Sequence, residues 1–343
     1  MKGNVVKLAR AGSLIVLLAS AAGAGAEVYD LPPPGTDVIG AVTTVEARAA
    51  DTLLDIGRRH GVGYEEIVRA NPDVDVWLPG EGTRVVLPTR YILPPGPRRG
   101  VVLNLPEYRL YYFPEPKPGE PAVVMTYPVS IGRMDWATPL GETRIVSKVV
   151  KPSWYPPESV RKEHAEEGRP LPRVVPPGPD NPLGDFAMRL SLPGYLIHGT
   201  NRPAGVGMRV THGCIRMYPE DIEFLFGHVP VNTPVRIINE PVKLGWDGDR
   251  LLVEVHRSLE TAPVVDEDLS AVAIDTGEAA EPAPGASASG HLTALTRQFV
   301  AATGTRPGEL DWALAESLLE RADGIPVPVG SAIKNAATSA AFE

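Results

Sequence analysis

The chain has 343 residues, a formal charge of −9, 43% hydrophobic and 22% charged residues: ordinary globular composition, with room for two domains and an ample core. The acidic balance excludes nucleic acid and anionic membrane surfaces as partners, and no Lys/Arg-rich block opposes it. One cysteine excludes an internal disulfide, and 37 prolines with 34 glycines point to turns and strands over long helices.

Lys2, Lys7 and Arg10 precede an apolar run, Leu14 to Ala22, and Ala24-Gly25-Ala26 supplies small residues. Residues 1–26 therefore read as a signal peptide with a mature start near Glu27. The run is short of the about 20 residues of a membrane span, so no transmembrane helix is expected in the mature chain. Residues 27–41, with Leu31-Pro32-Pro33-Pro34-Gly35, read as an extended leader.

A small unit follows over 42–90. Val42 to Val45 reads as a strand, and Asp51 to Ile56 opens a short helix that Gly61 ends. Tyr64 to Ala70 is a second helix, stopped at Asn71-Pro72 because proline disfavours helical geometry in the residue before it. Thr83 to Pro88 is a closing strand.

From Gly100 the pattern turns to strands, and residues 99–239 read as one mainly β sandwich or barrel. Val101 to Leu105 and Arg109 to Phe113 form a hairpin around Pro106-Glu107-Tyr108. Ala122 to Ile131, Thr143 to Val150, Tyr195 to Ile197 and Val235 to Ile238 are further strands. Val242 to Leu244 and Leu251 to Val255, a hairpin extension within 240–260, are expected to finish the sheet. Pro219 to Gly227 is the one clear helix, with proline in its first turn. Residues 152–184, punctuated by prolines, read as a long lid or binding loop. An acidic Ala/Pro/Ser/Gly-rich linker over 266–290 reads as disordered. His291 to Ala302 and Leu310 to Ala322 form a helical C-terminal tail within 291–330, with disorder beyond Gly330.

The chemistry concentrates at Thr211-His212-Gly213-Cys214-Ile215-Arg216, sixteen residues after His198. A thiol is nucleophilic as thiolate, so a base or positive charge is needed beside it. Cys214 is the candidate nucleophile and His198, ending a buried strand, the candidate base. The Gly199 carbonyl can orient His198 through its other ring nitrogen. Gly213 lets the backbone turn and present N–H groups to an oxyanion. His212 can bind substrate or shape the local field, Thr211 contributes a hydroxyl, and Arg216 can hold a substrate carboxylate.

These residues, Ile197-His198-Gly199-Thr200 with Thr211-His212-Gly213-Cys214-Ile215-Arg216-Met217, resemble the signature of the L,D-transpeptidases, whose catalytic domain is the YkuD type. Gly178-Pro179-Asp180-Asn181-Pro182-Leu183-Gly184 and Asp221 to Phe226 resemble the ErfK/YbiS branch. Asp51-Thr52-Leu53 and Ala70-Asn71-Pro72 resemble a LysM module, which binds peptidoglycan. The resemblance implies a periplasmic cysteine acyltransferase with no cofactor and no metal. Cys214 would attack the diaminopimelate carbonyl of a peptidoglycan tetrapeptide stem, D-alanine would leave with a proton from His198, and an amine would resolve the thioester. That amine is a diaminopimelate, giving 3–3 cross-links, or the lysine of an outer-membrane lipoprotein, giving wall anchoring, with which the ErfK/YbiS branch is associated. Water as acceptor would make a carboxypeptidase.

Other readings stand beside this one. A lone cysteine is most often a buried small hydrophobe; the chain would then be a non-enzymatic wall-binding protein. His198, His212 and Cys214 are metal-ligand types, although a fourth ligand for zinc is missing. Arg216 can be a structural ion-pair partner, and His212 a structural donor. His60, His164, His228, His256 and His291, and the tryptophans 77, 136, 154 and 246, read as solvated or packing residues.

Overall fold

The computed structural model describes residues 27–133, 136–259 and 286–333. The expected signal peptide over 1–26 and most of the linker lie outside them. The fold is mainly β. Its centre is a nine-stranded sheet whose spatial order runs Glu27–Asp30, Val123–Pro128, Arg109–Phe113, Gly100–Asn104, Pro234–Ile238, Gly141–Val150, Phe186–Leu190, Leu196–His198 and Ile215–Arg216.

The two central hairpin strands are buried on both faces, which accounts for their unbroken apolar runs. Alternate side chains point to opposite faces of a strand. Val101, Leu103, Leu110 and Tyr112 enter the large core with Ile145, Ile197, Ile215 and Ile222. Val102, Tyr111 and Phe113 enter a second core with Ile39, Tyr91 and Val124.

Several expectations are corrected. Residues 27–41, read as an extended leader, are built into the fold: Glu27–Asp30 pairs antiparallel with the central sheet and Val38–Gly40 with Arg90–Ile92. The strand expected over 122–131 breaks after Pro128, and Ile131–Gly132 pairs elsewhere, with Arg209–Thr211. The hairpin Val242–Asp247 with Arg250–Val255 does not finish the central sheet. It forms a separate four-stranded sheet with Gly308–Leu310 and Val327–Ala332. Both expected C-terminal helices are present, as Ala286–Thr303 and Trp312–Arg321. They bury Leu295, Leu318 and Leu319 against Leu251 and Val253, so this segment is a packed unit with its own core. Its strands carry it past Gly330, where disorder was expected. No helix among the described residues is long and apolar enough to cross a membrane.

The small N-terminal unit has two strands, Thr43–Glu46 and Arg84–Leu87, and two helices, Leu53–Arg59 and Tyr64–Ala70. Thr52 caps the first helix in a reciprocal box with Asp55. Leu53, Ile56, Val62, Ile67 and Val85 form its core.

This unit is fastened to the central sheet by a buried ion pair. Arg109 lies on a central strand, and its Nε and Nη2 each donate to Glu66 at 2.8 Å. Its Nη2 also donates to the Gly61 carbonyl at 2.9 Å, and its guanidinium stacks 4.2 Å from the Tyr91 ring centroid. A second buried network joins the C-terminal unit: Lys243 Nζ lies 2.8 Å from both Glu107 and Glu254, and His256 Nε2 lies 2.7 Å from Glu254. Glu107, Glu254 and His256 are the only acid and histidine ligand atoms that cluster among the described residues. Lys243 already supplies the cation there.

Removing one partner of a buried pair strands the other charge, at about 3–5 kcal/mol. Glu66→Ala is therefore expected to lower the urea midpoint sharply, and Glu66→Ala/Arg109→Met to recover much of the loss. An unchanged midpoint in the single variant would mean that Arg109 does not depend on this carboxylate.

Candidate active site

Leu196–His198 and Ile215–Arg216 lie side by side in parallel, with Ile197 opposite Ile215 and His198 opposite Arg216. Parallel neighbours need a crossover of about a dozen residues or more, and the sixteen-residue spacing provides it. Cys214 immediately precedes the second strand, so the pairing brings it beside the His198 strand.

The turn that carries Cys214 is held from several sides. Gly213 has φ +96°, and a Cβ there would lie 2.9 Å from the Tyr195 ring, so both conformation and space demand glycine. Thr211 Oγ1 donates to the Cys214 carbonyl at 2.6 Å, and Thr138 Oγ1 donates to the Gly213 carbonyl at 2.9 Å. In a trans peptide the N–H opposes the C=O, so the Cys214 N–H is fixed on the side away from Thr138. The Trp136 indole meets the His212 ring edge-on at 5.2 Å between centroids.

His198 is buried, and its Nδ1 lies 2.6 Å from the Gly199 carbonyl. A carbonyl only accepts, so Nδ1 carries the proton and Nε2 presents a lone pair. Burial, seconded by the Arg216 charge, depresses the imidazole to about 3. Burial also pushes the Cys214 thiol above its ordinary value, against the pull of a backbone hydrogen bond at Leu196 and of Arg216. The sulfur is half-buried and donates to the Gly194 carbonyl at 3.6 Å. Both groups therefore rest neutral. At Cys214 desolvation thus outweighs the nearby positive charge that would favour a thiolate.

Cys214, His198, His212, Thr211 and Arg216 all line one cleft of about 930 Å³. Trp154, Tyr155, Val160 and His164 of the proline-rich excursion line it too. Among the described residues that line this space, Lys151, Arg189, Arg202 and Arg216 outnumber the one acid, Asp180, a balance that suits an acidic ligand. His198 spends Nδ1 on Gly199, and His212 Nε2 lies 2.8 Å from Glu163. The two histidines do not converge with Cys214 as metal donors.

Residues 98–237 match the L,D-transpeptidase catalytic domain of the YkuD family. The probable L,D-transpeptidase ErfK/SrfK of Salmonella typhimurium is 37% identical over 308 residues, covering 88% of this chain and 91% of that one. The chain belongs to the L,D-transpeptidase family. The probable L,D-transpeptidases YcfS and YbiS of Escherichia coli are 41% and 40% identical to it over 243 residues, covering 69% of this chain and 74% and 78% of theirs. The catalytic domain of the Enterococcus faecium L,D-transpeptidase aligns over 42% of this chain and 100% of its own, at 21% identity and a TM-score of 0.31.

The excursion over 152–184 in this L,D-transpeptidase is not a plain loop. It contains a helix, Glu158–Glu166, and is pinned where it starts and ends. Trp154 and Val175 exchange two backbone hydrogen bonds at 2.9 Å. The buried Asn181 amide donates to the Pro152 carbonyl at 2.8 Å, while its oxygen accepts from the Leu183 amide at 2.9 Å. Gly184 has φ +64°, and a Cβ there would press to 2.8 Å from the Thr200 amide. That contact explains the glycine in the segment that resembles the ErfK/YbiS branch.

Arg133, Trp136, Thr138 and Glu163 are site residues that the sequence alone did not single out. Arg133, Trp136 and Thr138 lie far from the motif in sequence and carry no spacing signal. Glu163 had one: Glu158-Ser159-Val160-Arg161-Lys162-Glu163-His164-Ala165-Glu166 is a run of helix-tolerant residues directly after Pro157.

A neutral thiol with a raised pKa ionises only as pH climbs past its ordinary range, and an imidazole near 3 offers no cation above that pH. Alkylation of Cys214 by iodoacetamide is expected to rise steadily from pH 6 through 9. A plateau below pH 7 would instead reveal a thiolate–imidazolium pair.

Proposed function

We propose that the chain is a periplasmic peptidoglycan L,D-transpeptidase in which Cys214 is the nucleophile and His198 the general base and acid. One observation carries this reading. The buried His198 has its Nδ1 proton spent on the Gly199 carbonyl at 2.6 Å, which leaves Nε2 as a free base in the cleft that holds the thiol. As Cys214 attacks the diaminopimelate carbonyl, its S–H proton passes to Nε2. The S–C bond forms, the tetrahedral oxyanion collapses, and the C–N bond to D-alanine breaks with that proton moving onto the departing amine. An acceptor amine then attacks the thioester, gives its proton back through His198, and releases the thiol.

Neutral resting groups suit this sequence, because proton transfer and attack proceed together once substrate fills the cleft and displaces water. The Cys214 and Gly213 N–H groups would steady the oxyanion, and the basic lining, Arg216 included, would hold the stem's carboxylates. The acceptor is an amine, from a lipoprotein lysine or a second diaminopimelate. Export would follow from the leader over 1–26. The LysM-like unit over 42–90 would hold wall glycan while its helix-bearing face stays docked on the catalytic domain.

Incubating the mature protein with a carbapenem is expected to add one acyl mass to Cys214. Cys214→Ala should abolish the adduct, and His198→Ala should slow it by about 10²-fold or more. Wild-type protein that stays unmodified would remove the basis for an acyl-enzyme. Muropeptides from cells with and without the gene then separate the acceptors: lipoprotein-linked stems vanish in one case, 3–3 dimers in the other.

A further inference from the structure

Glu163 lies on the inner face of the lid helix. Residues 160, 163 and 164 share that face by helical spacing; Val160 is buried, and Val160 and His164 line the cleft. The outer face is different in kind: Lys162 and Glu166 are solvated and 3.8 Å apart. A carboxylate among inward-facing positions needs partners, and Glu163 has two from outside its helix. One oxygen is paired with the Arg133 guanidinium, and the other lies 2.8 Å from His212 Nε2. Burial opposes ionisation of Glu163, but these donors overcome it and hold the carboxyl below its ordinary value.

The chemistry of that contact is restrictive. An ionised carboxylate only accepts, so His212 must carry hydrogen on Nε2, and that nitrogen is unavailable as a base. His212 is then held between Glu163 and the Trp136 indole. Arg133 closes the ring from its backbone, donating its amide to the Thr211 carbonyl at 2.9 Å. Lid helix, Arg133 and the Thr211–Cys214 turn thus form one cycle of hydrogen bonds through a single carboxylate.

We propose that Glu163 is a positioning residue: it ties the lid helix to the nucleophile turn through His212, so that the Gly213–Cys214 backbone is in working geometry only while the lid is seated. The proposal rests on the reading of Cys214 as nucleophile. It asks nothing of Glu163 in contact with substrate. Its effect belongs to the orientation of the oxyanion-binding amides, where displacement by about 1 Å costs on the order of 10²-fold in rate.

Stopped-flow acylation by a carbapenem across a concentration series tests it on the full mature chain, with iodoacetamide alkylation of Cys214 measured in parallel. Glu163→Ala is expected to lower the maximal acylation rate by about 10- to 100-fold, with little change in the half-saturating concentration. Glu163→Gln, which keeps shape and one acceptor, should fall between it and wild type, and Glu166→Gln should match wild type. Iodoacetamide alkylation, which needs no oxyanion site, should be unchanged throughout. The proposal is overturned if Glu163→Ala acylates at the wild-type maximal rate, if only half-saturation moves, or if alkylation falls in step with acylation, since general loosening would do that. Wild-type protein that takes no acyl group overturns the nucleophile reading and this proposal together; a reactive wild type with an equally reactive Glu163→Ala overturns this proposal alone.

Discussion

The site depends on a parallel ladder two residues long. Setting Ile197 beside Ile215 and His198 beside Arg216 puts the imidazole strand next to the thiol, and parallel pairing cannot be made by a tight turn. The chain must leave the sheet after Gly199 and return at Cys214. On the way it forms a short turn at Pro203–Gly205 and the strand Arg209–Thr211, which pairs with Ile131–Gly132. That crossover is braced from the N-terminal unit: the Tyr64 amide donates to the Val206 carbonyl at 3.0 Å and the Glu65 amide to the Gly207 carbonyl at 3.3 Å. A Cβ on Gly207 would lie 2.4 Å from the Tyr64 nitrogen, and φ there is +90°. Backbone from another unit therefore supports the loop that delivers the nucleophile.

Electrostatics at the site follow from the same burial. Both groups sit against two packed strands, and the desolvation this imposes raises the thiol and lowers the imidazole by one mechanism. Arg216 depresses both groups, favouring a thiolate and disfavouring an imidazolium, so it cannot stabilise the ion pair as a whole. The neutral pair is the consequence. It also bears on persistence: oxidants act on the thiolate, and a protonated sulfur hydrogen-bonded to Gly194 is a poor target in the oxidising compartment proposed for the chain.

Much of this was legible because it is written in short-range pattern. The hairpin around Tyr108, the helix after Pro219 and the spacing from His198 to Cys214 need only alternation, a proline and a count of residues. The Gly199 carbonyl as the orienter of His198 was legible too, because the contact is between neighbours in sequence. What escaped was non-local. Phe186–Leu190 is a sheet strand because it lies between Gly141–Val150 and Leu196–His198, and although Pro193-Gly194 marks a turn after it, its own five residues carry no alternation that names a partner. Val327–Ala332 is a strand because a distant hairpin offers it an edge, and Gly308–Leu310 pairs in turn with Val327–Ala332. Glu27–Asp30 joins the sheet through Val123–Pro128 in the same way, despite the prolines that follow it. His256 looked like a packing residue and instead pairs with a buried acid, which no spacing rule reveals.

Buried ions at the seams between units raise a question of purpose. Desolvating Arg109, Glu66, Lys243, Glu107 and Glu254 costs about as much as their pairing returns, so these contacts are weak sources of stability. What they supply is a single allowed arrangement. Apolar surfaces tolerate sliding by an ångström or two with little change in buried area, whereas a two-pronged Arg109–Glu66 contact is satisfied in one geometry. Glu66 also accepts from the Gly63 amide at 2.7 Å, at the start of the same helix whose first amides hold Val206 and Gly207. The orientation imposed by the ion pair is thereby passed to the crossover and from there to Cys214. The small N-terminal unit is thus part of the frame that keeps the thiol in place.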